Sequence, residues 1–244
     1  MSAESAAAAT PRVYLLDIEG TVAPIAFVTE TLFPYARTHF PKFLNQNLRH
    51  PDVQGDLRLL AEENRAELSE DSPTFGIEIR NELHARAYLL WLMDRDRKST
   101  ALKSLQGKIW KIGFESGELK SALFDDVPDA MRRWSAKARV AIYSSGSVEA
   151  QQLLFRYSNF GDLTPLLSGY FDTRTGPKTA SASYAAIAAA MNVAPGEILF
   201  FSDVVRELDA AREAGCQTRL VVREGNTPVE DAHGHASLPS FEGL

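Results

Sequence analysis

Val13-Tyr14-Leu15-Leu16-Asp17-Ile18-Glu19-Gly20-Thr21 decides the fold class. Four apolar residues run on without interruption, and two carboxylates follow at i and i+2. A continuous apolar run, rather than an alternating one, predicts a strand buried on both faces of a parallel sheet. The acids then fall in the loop at the strand's carboxyl end, where open α/β sheets gather their ligands. Taken alone, the pair fits equally a helix N-cap with a neighbouring surface acid. The Gly-Thr that follows supplies a tight turn and backbone N–H groups, which points to an anion-binding loop.

Three further runs have the same character: Val140-Ala141-Ile142-Tyr143, Ile198-Leu199-Phe200-Phe201 and Leu220-Val221-Val222. Helical segments are predicted between and beside them at 148–157, 180–191 and 204–214, the last closed by Gly215. Strands alternating with helices predict a doubly wound, parallel-sheet α/β core. Between the first two strands lies a long stretch with helical patterns and no convincing strand. It predicts a helical cap domain inserted at 24–128, with the core formed by 1–23 and 129–244 and a frayed tail over 1–11. Within the insertion, Ile79, Leu83, Ala87, Leu90 and Met93 recur at helical spacing, and 52–68 is a second helix rich in Glu and Leu. Such lids exclude water and carry substrate selectivity.

Composition narrows the function. The 244 residues are 45% hydrophobic and 24% charged, an ordinary globular balance. A formal charge of −6 repels a phosphate backbone, so no nucleic-acid partner is expected. No apolar run approaches the roughly 20 residues that span a bilayer, so no membrane partner is expected either. The single cysteine, Cys216, excludes an intrachain disulfide and a multi-cysteine zinc site, and reads as a buried thiol of a reducing compartment. A cytoplasmic location follows, with a nuclear share besides if the source is eukaryotic.

Polar clusters end three of the strands. The second is Ser144-Ser145-Gly146-Ser147, leading into a helix; hydroxyls and amides there suit a phosphate, although a plain capping turn has the same residues. The third is Ser202-Asp203, with Glu207 four residues on. Between them, Lys178 sits in a loop from which it can neutralise a nucleophilic carboxylate and a phosphate oxygen together. An aspartate nucleophile, a hydroxyl, a lysine and a metal-binding acid, in that order at successive strand ends, make a phosphoryl-transfer site with a covalent aspartyl intermediate.

That set of motifs resembles the haloacid dehalogenase superfamily from about Val13 to Val222. Glu19 stands where most phosphatases of the superfamily carry Asp. Leu16-Asp17-Ile18-Glu19-Gly20-Thr21, Leu32-Phe33-Pro34-Tyr35, Tyr143-Ser144-Ser145-Gly146-Ser147-Val148-Glu149-Ala150-Gln151 and Phe171-Asp172-Thr173 are similar to the enolase-phosphatase family of methionine salvage. Val22-Ala23 depart from that pattern, which has hydroxyl residues there, but replace no catalytic group. The resemblance implies a small phosphorylated diketone, 2,3-diketo-5-methylthiopentyl-1-phosphate, as substrate. It is enolised and dephosphorylated to the acireductone 1,2-dihydroxy-3-keto-5-methylthiopentene. The resemblance also implies a monomer that uses Mg²⁺. Asp17 and Glu19 would be catalytic. Asp17 and Asp203 would ligate the metal through side chains and Glu19 through its backbone carbonyl, while Ser144, Ser145 and Lys178 would bind substrate.

Other features carry less. His39, His50, His84, His233 and His235 show no metal-ligand spacing beyond His233-Gly234-His235, which reads as a solvated tail. His84 falls within the predicted cap helix. Ala61-Glu62-Glu63-Asn64-Arg65 reads as a solvated helix face, and Trp91, Trp110 and Trp134 as core or domain-interface residues. Nucleotide-binding glycine loops are absent. A sugar-phosphate phosphatase or phosphomutase, a dehalogenase and a non-catalytic phosphate binder remain as rivals.

Overall fold

Val13–Leu16 forms β1, with all four residues buried, at the centre of a six-stranded sheet. The structure is a computed structural model and describes residues 10–244; the predicted tail over 1–11 lies outside the described residues except at its last two positions. In chain order the elements after β1 are α1 (Phe33–Asn47), α2 (Pro51–Arg65), α3 (Glu82–Asp94), α4 (Thr100–Ser116) and α5 (Val127–Ser135). Then follow β2 (Arg139–Tyr143), α6 (Val148–Arg156), β3 (Gly169–Phe171), α7 (Ser181–Ala190), β4 (Ile198–Ser202), α8 (Val205–Glu213), β5 (Gln217–Val221) and β6 (Ser237–Leu238). The sheet order is β3-β2-β1-β4-β5-β6 with every pairing parallel. Register sets Leu16 beside Ile142 on one flank and Phe201 on the other, so β1, β2 and β4 end level with one another.

The chain divides into two units, one running up to Val28 and again over Lys120–Leu244, the other Thr29–Leu119. The boundaries fall inward of 24 and 128. Phe124 donates its N–H to the Val22 carbonyl at 3.1 Å, and α5 packs on β2, so both belong with the sheet.

Alternation along the strands sends successive side chains to opposite faces. Val13, Leu15, Ala141, Tyr143, Ile198 and Phe200 meet Tyr184 and Ile187 of α7 and Leu208 and Ala211 of α8. On the other face Tyr14 and Phe201 stack against Trp134 of α5 with ring centroids 4.7 and 5.3 Å away, and Phe241 closes on their edge. Helices on both faces make the sheet doubly wound. Gly215 ends α8 as predicted, at φ +92°: its N–H bonds the Arg212 carbonyl and that of Cys216 bonds Ala211, both at 2.9 Å.

In the second unit α1–α4 enclose their own core around Phe40, Leu44, Leu60, Tyr88, Leu89, Leu105 and Ile109. The stripe predicted on α3 is displaced. Ala85, Tyr88, Leu89 and Leu92 are buried, while Leu83 is 59% exposed and Ile79 precedes the helix. Glu63 and Asn64 are not solvated as expected either. Glu63 accepts the Ser99 hydroxyl and the Thr100 and Ala101 N–H groups at the start of α4, and buried Asn64 donates to the Ile77 carbonyl at 2.7 Å. Trp134 and Trp91 are buried as expected, and Trp110 donates to the Leu32 carbonyl at 2.8 Å.

The C-terminal segment is no solvated tail. β6 pairs with β5, and His235 is buried between Thr218 at 2.7 Å and Asp209 at 3.1 Å. Among the described residues no helix is long and apolar enough to cross a membrane.

Candidate active site

The level ends of β1, β2 and β4 bring the predicted clusters to one edge of the sheet. Asp17 leaves β1 buried, its N–H bonded to the Phe201 carbonyl at 3.0 Å. The loop after it is tightly closed. Ile18 O accepts the N–H groups of Thr21, Val22 and Ala23 at 3.2, 2.9 and 2.9 Å, and Gly20 N–H bonds Ala23 O at 2.8 Å. The Gly20 and Thr21 donors expected to hold an anion are therefore spent inside the loop. Gly20 has φ +69°, and a Cβ built there would lie 2.3 Å from Asp203 Oδ2 and 3.0 Å from Asn226 Oδ1. Glycine is required on both counts: the left-handed backbone, and the Asp203 carboxylate resting on the bare α-carbon. Glu19 is half-buried and bridges to Ala23.

Lys178 reaches Asp17 Oδ1 and Glu207 Oε2, each at 2.6 Å. Three hydroxyls fix the backbone that carries it: Tyr143 donates to Gly176 O at 2.9 Å, Ser183 to Pro177 O at 2.8 Å and Tyr184 to Lys178 O at 2.7 Å. Burial disfavours the Lys178 ammonium, but the charges of Asp17 and then Glu207 outweigh it and raise the pKa. Burial first, and then the Asp17 charge, push both Asp203 and Glu207 up to about 7. Glu207 also accepts the Ser202 hydroxyl at 2.9 Å. Its place four residues after Asp203 was visible in the sequence, but nothing there marked it as the second partner of Lys178.

At the end of β2, Ser144 is buried and Ser145 exposed. Ser144 N–H bonds the Phe171 carbonyl at 3.1 Å, and its hydroxyl accepts Gly146 N–H at 3.2 Å. Ser147 caps α6 by accepting from Ala150 N at 3.3 Å. Buried Gln151 ties this turn to the sheet, donating to Gly146 O at 2.9 Å and Phe171 O at 2.8 Å. Register places the turn beside the end of β1, and Ser144 bonds within its own turn and to β3.

Three carboxylates, Asp17, Asp203 and Glu207, thus gather at this edge, and one ammonium pairs with two of them, Asp17 and Glu207. Hard oxygen donors with surplus negative charge suit a divalent cation. Among the described residues no three His, Cys, Asp or Glu side chains form a ready cage.

Comparison with known proteins fits this geometry. The family model of the haloacid dehalogenase-like hydrolases matches residues 11–215. The chain is 55% identical over 217 residues to enolase-phosphatase E1 of Synechococcus elongatus, covering 88% of this chain and 90% of that one. It is 47% identical over 233 residues to enolase-phosphatase E1 of Leptospira borgpetersenii, covering 94% and 96%. Among solved structures, the UTR4 protein of Saccharomyces cerevisiae superposes with a TM-score of 0.79 at 40% identity, covering 96% of this chain and all of that one.

Proposed function

The chain belongs to the haloacid dehalogenase-like hydrolases and, within them, to the enolase-phosphatase E1 family; from that membership we propose that it converts 2,3-diketo-5-methylthiopentyl-1-phosphate to the acireductone and inorganic phosphate. It is a phosphoric monoester hydrolase of methionine salvage that also enolises its substrate. The observation that carries the chemistry is Lys178, held at 2.6 Å from both Asp17 and Glu207.

Enolisation removes a carbon-bound proton beside a carbonyl and leaves an enol hydroxyl on that oxygen. Glu19 has the reach to take and return such a proton. In the phosphatase step an Asp17 oxygen bonds to phosphorus as the ester P–O bond breaks, and Glu19 gives the leaving oxygen its proton. Water then attacks the aspartyl phosphate, Glu19 takes the water's proton, and Asp17 is restored as phosphate leaves. Lys178 pairs with Asp17 and offsets its repulsion from the approaching phosphate. Ser144 and Ser145 meet the phosphate at the start of α6. Asp17 and Asp203 through side chains, and Glu19 through its carbonyl, would hold Mg²⁺; when bound, it neutralises charge on the transferring group.

The test is an assay of the diketo phosphate that follows enol absorbance and phosphate release separately. Wild type gives both signals. Asp17→Asn loses phosphate release by at least about a thousandfold with an unchanged circular dichroism spectrum. Near wild-type turnover by that variant would overturn the covalent route. Hydrolysis of simple aryl phosphates without conversion of the diketone would overturn the substrate.

A further inference from the structure

Two consecutive carbonyls of the loop that follows the nucleophile are held by side chains from one turn. Asn226 Nδ2 donates to Gly20 O at 2.9 Å, and Arg223 Nε donates to Thr21 O at 3.2 Å. The turn is Arg223-Glu224-Gly225-Asn226, closed by Asn226 N–H to Arg223 O at 3.2 Å with Gly225 at φ +86°. A left-handed glycine at the third position is what a type II turn needs, and the first and fourth side chains both bond the loop.

The turn is itself immobilised. Arg223 is buried, with its guanidinium 4.5 Å from the Phe124 ring centroid and 4.7 Å from that of Phe241. Its Nη1 bonds Asp126 Oδ2 at 2.9 Å and Pro239 O at 3.1 Å. Asp126 in turn accepts the N–H of Phe241. On the loop side, Asn226 Oδ1 lies beside the Gly20 α-carbon, on which Asp203 also rests.

We propose that Arg223 and Asn226 are positioning residues for phosphoryl transfer. They hold the Gly20 and Thr21 carbonyls so that the backbone carrying Asp17 and Glu19 stays in reacting geometry beside Asp203. The inference rests on the reading of this loop as the reaction site. It adds two residues that touch no reacting atom. The Ile18, Val22 and Ala23 carbonyls of the loop bond to backbone N–H groups and are independent of side-chain identity. Gly20 O and Thr21 O depend instead on the Asn226 and Arg223 side chains. Misplacement of reacting groups by an ångström costs up to about a hundredfold in rate.

Asn226 is half-buried, so its replacement leaves the fold intact. Asn226→Leu keeps much of the side chain's shape and removes the donor. Its expected kcat is about ten- to a hundredfold below wild type, with KM within about twofold because Ser144, Ser145 and Lys178 are untouched. Its Tm falls by no more than about 4 °C. Asn226→Gln, which restores an amide donor, recovers part of kcat, and Arg223→Lys, which keeps the charge near Asp126, loses kcat in the same way. A kcat for Asn226→Leu within threefold of wild type would overturn the proposal, as would a loss borne by KM instead. Variant-to-wild-type ratios are read on both the diketo phosphate and p-nitrophenyl phosphate. Failure of wild type on the diketone alone would count against the substrate, while the ratio on the aryl ester still judges the two residues.

Discussion

Lys178 satisfies two buried carboxylates with one ammonium, which makes it the costliest single side chain of the site to lose. Unit charges 4 Å apart at an effective dielectric near 20 interact by about 4 kcal/mol, and removing one member of a buried charge cluster strands the others. Lys178→Ala is expected to lower kcat/KM by more than about a hundredfold. Ser144→Ala removes one neutral hydrogen bond of about 1 kcal/mol and stays within about tenfold. The reverse order in steady-state kinetics would refute this ranking. Glu19 poses a question of length. Its carboxyl stands one methylene further from the backbone than that of Asp, which in the proposed mechanism extends its reach to the carbon being enolised. Glu19→Asp should therefore keep part of phosphate release and lose more of enolisation, and Glu19→Gln should lose both proton transfers. Stopped-flow traces of the two signals decide it: equal losses for Glu19→Asp would leave reach without a role. The residues of this site were legible where a strand end announced them. Arg223 and Asn226 were not, because a bond to a carbonyl needs no partner residue type at any spacing.

Fastening of the sheet's last strand depends on a cluster on α8. Asp209 meets His233 Nδ1 at 2.7 Å, Arg212 at 2.8 Å and His235 Nε2 at 3.1 Å. The bond from His233 leads in holding the Asp209 carboxyl below the usual carboxylate range; burial opposes it and His235 adds to it. A carboxyl whose pKa is lowered on folding stabilises the fold above its unfolded value, near about 3.9. That contribution is lost as pH falls through the lower folded value. Above that range, Asp209→Ala should release β6. The Leu220 and Val222 amides, which donate to Ala236 O and Leu238 O at 3.0 and 2.9 Å, should then exchange hydrogen at least about tenfold faster at neutral pH, since bonds to charged groups are worth about 1.5–3 kcal/mol. Unchanged exchange at both amides would remove Asp209 from this role. Elements differ in how plainly the sequence marks them. β1, β2 and β4 are continuous apolar runs because both faces are covered. β3 is three half-buried residues at the sheet's edge, and β6 is two residues, so neither makes such a run. On α3 apolar residues occur nearly all round, which permits two stripes, and tertiary packing selects the one through Tyr88 and Leu89.

The two units differ in how the chain builds them. Thr29–Leu119 is continuous, and its helices pack around a common core, α4 against α2 and α1, and α3 against α1. Expressed alone, this segment should show helical circular dichroism and a cooperative urea transition; a featureless, non-cooperative melt would show that its core cannot stand by itself. The sheet unit is discontinuous, and its central strand has the longest wait. During synthesis β1 leaves the ribosome before the four helices of the second unit, yet β2 and β4, its partners on either side, are encoded only after Leu119. At translation rates of about 5–20 residues per second, that interval is on the order of 5–20 s. Throughout it Val13–Leu16 is an apolar β-forming segment with neither ladder partner, and that makes it the place where a nascent-chain chaperone has most to protect.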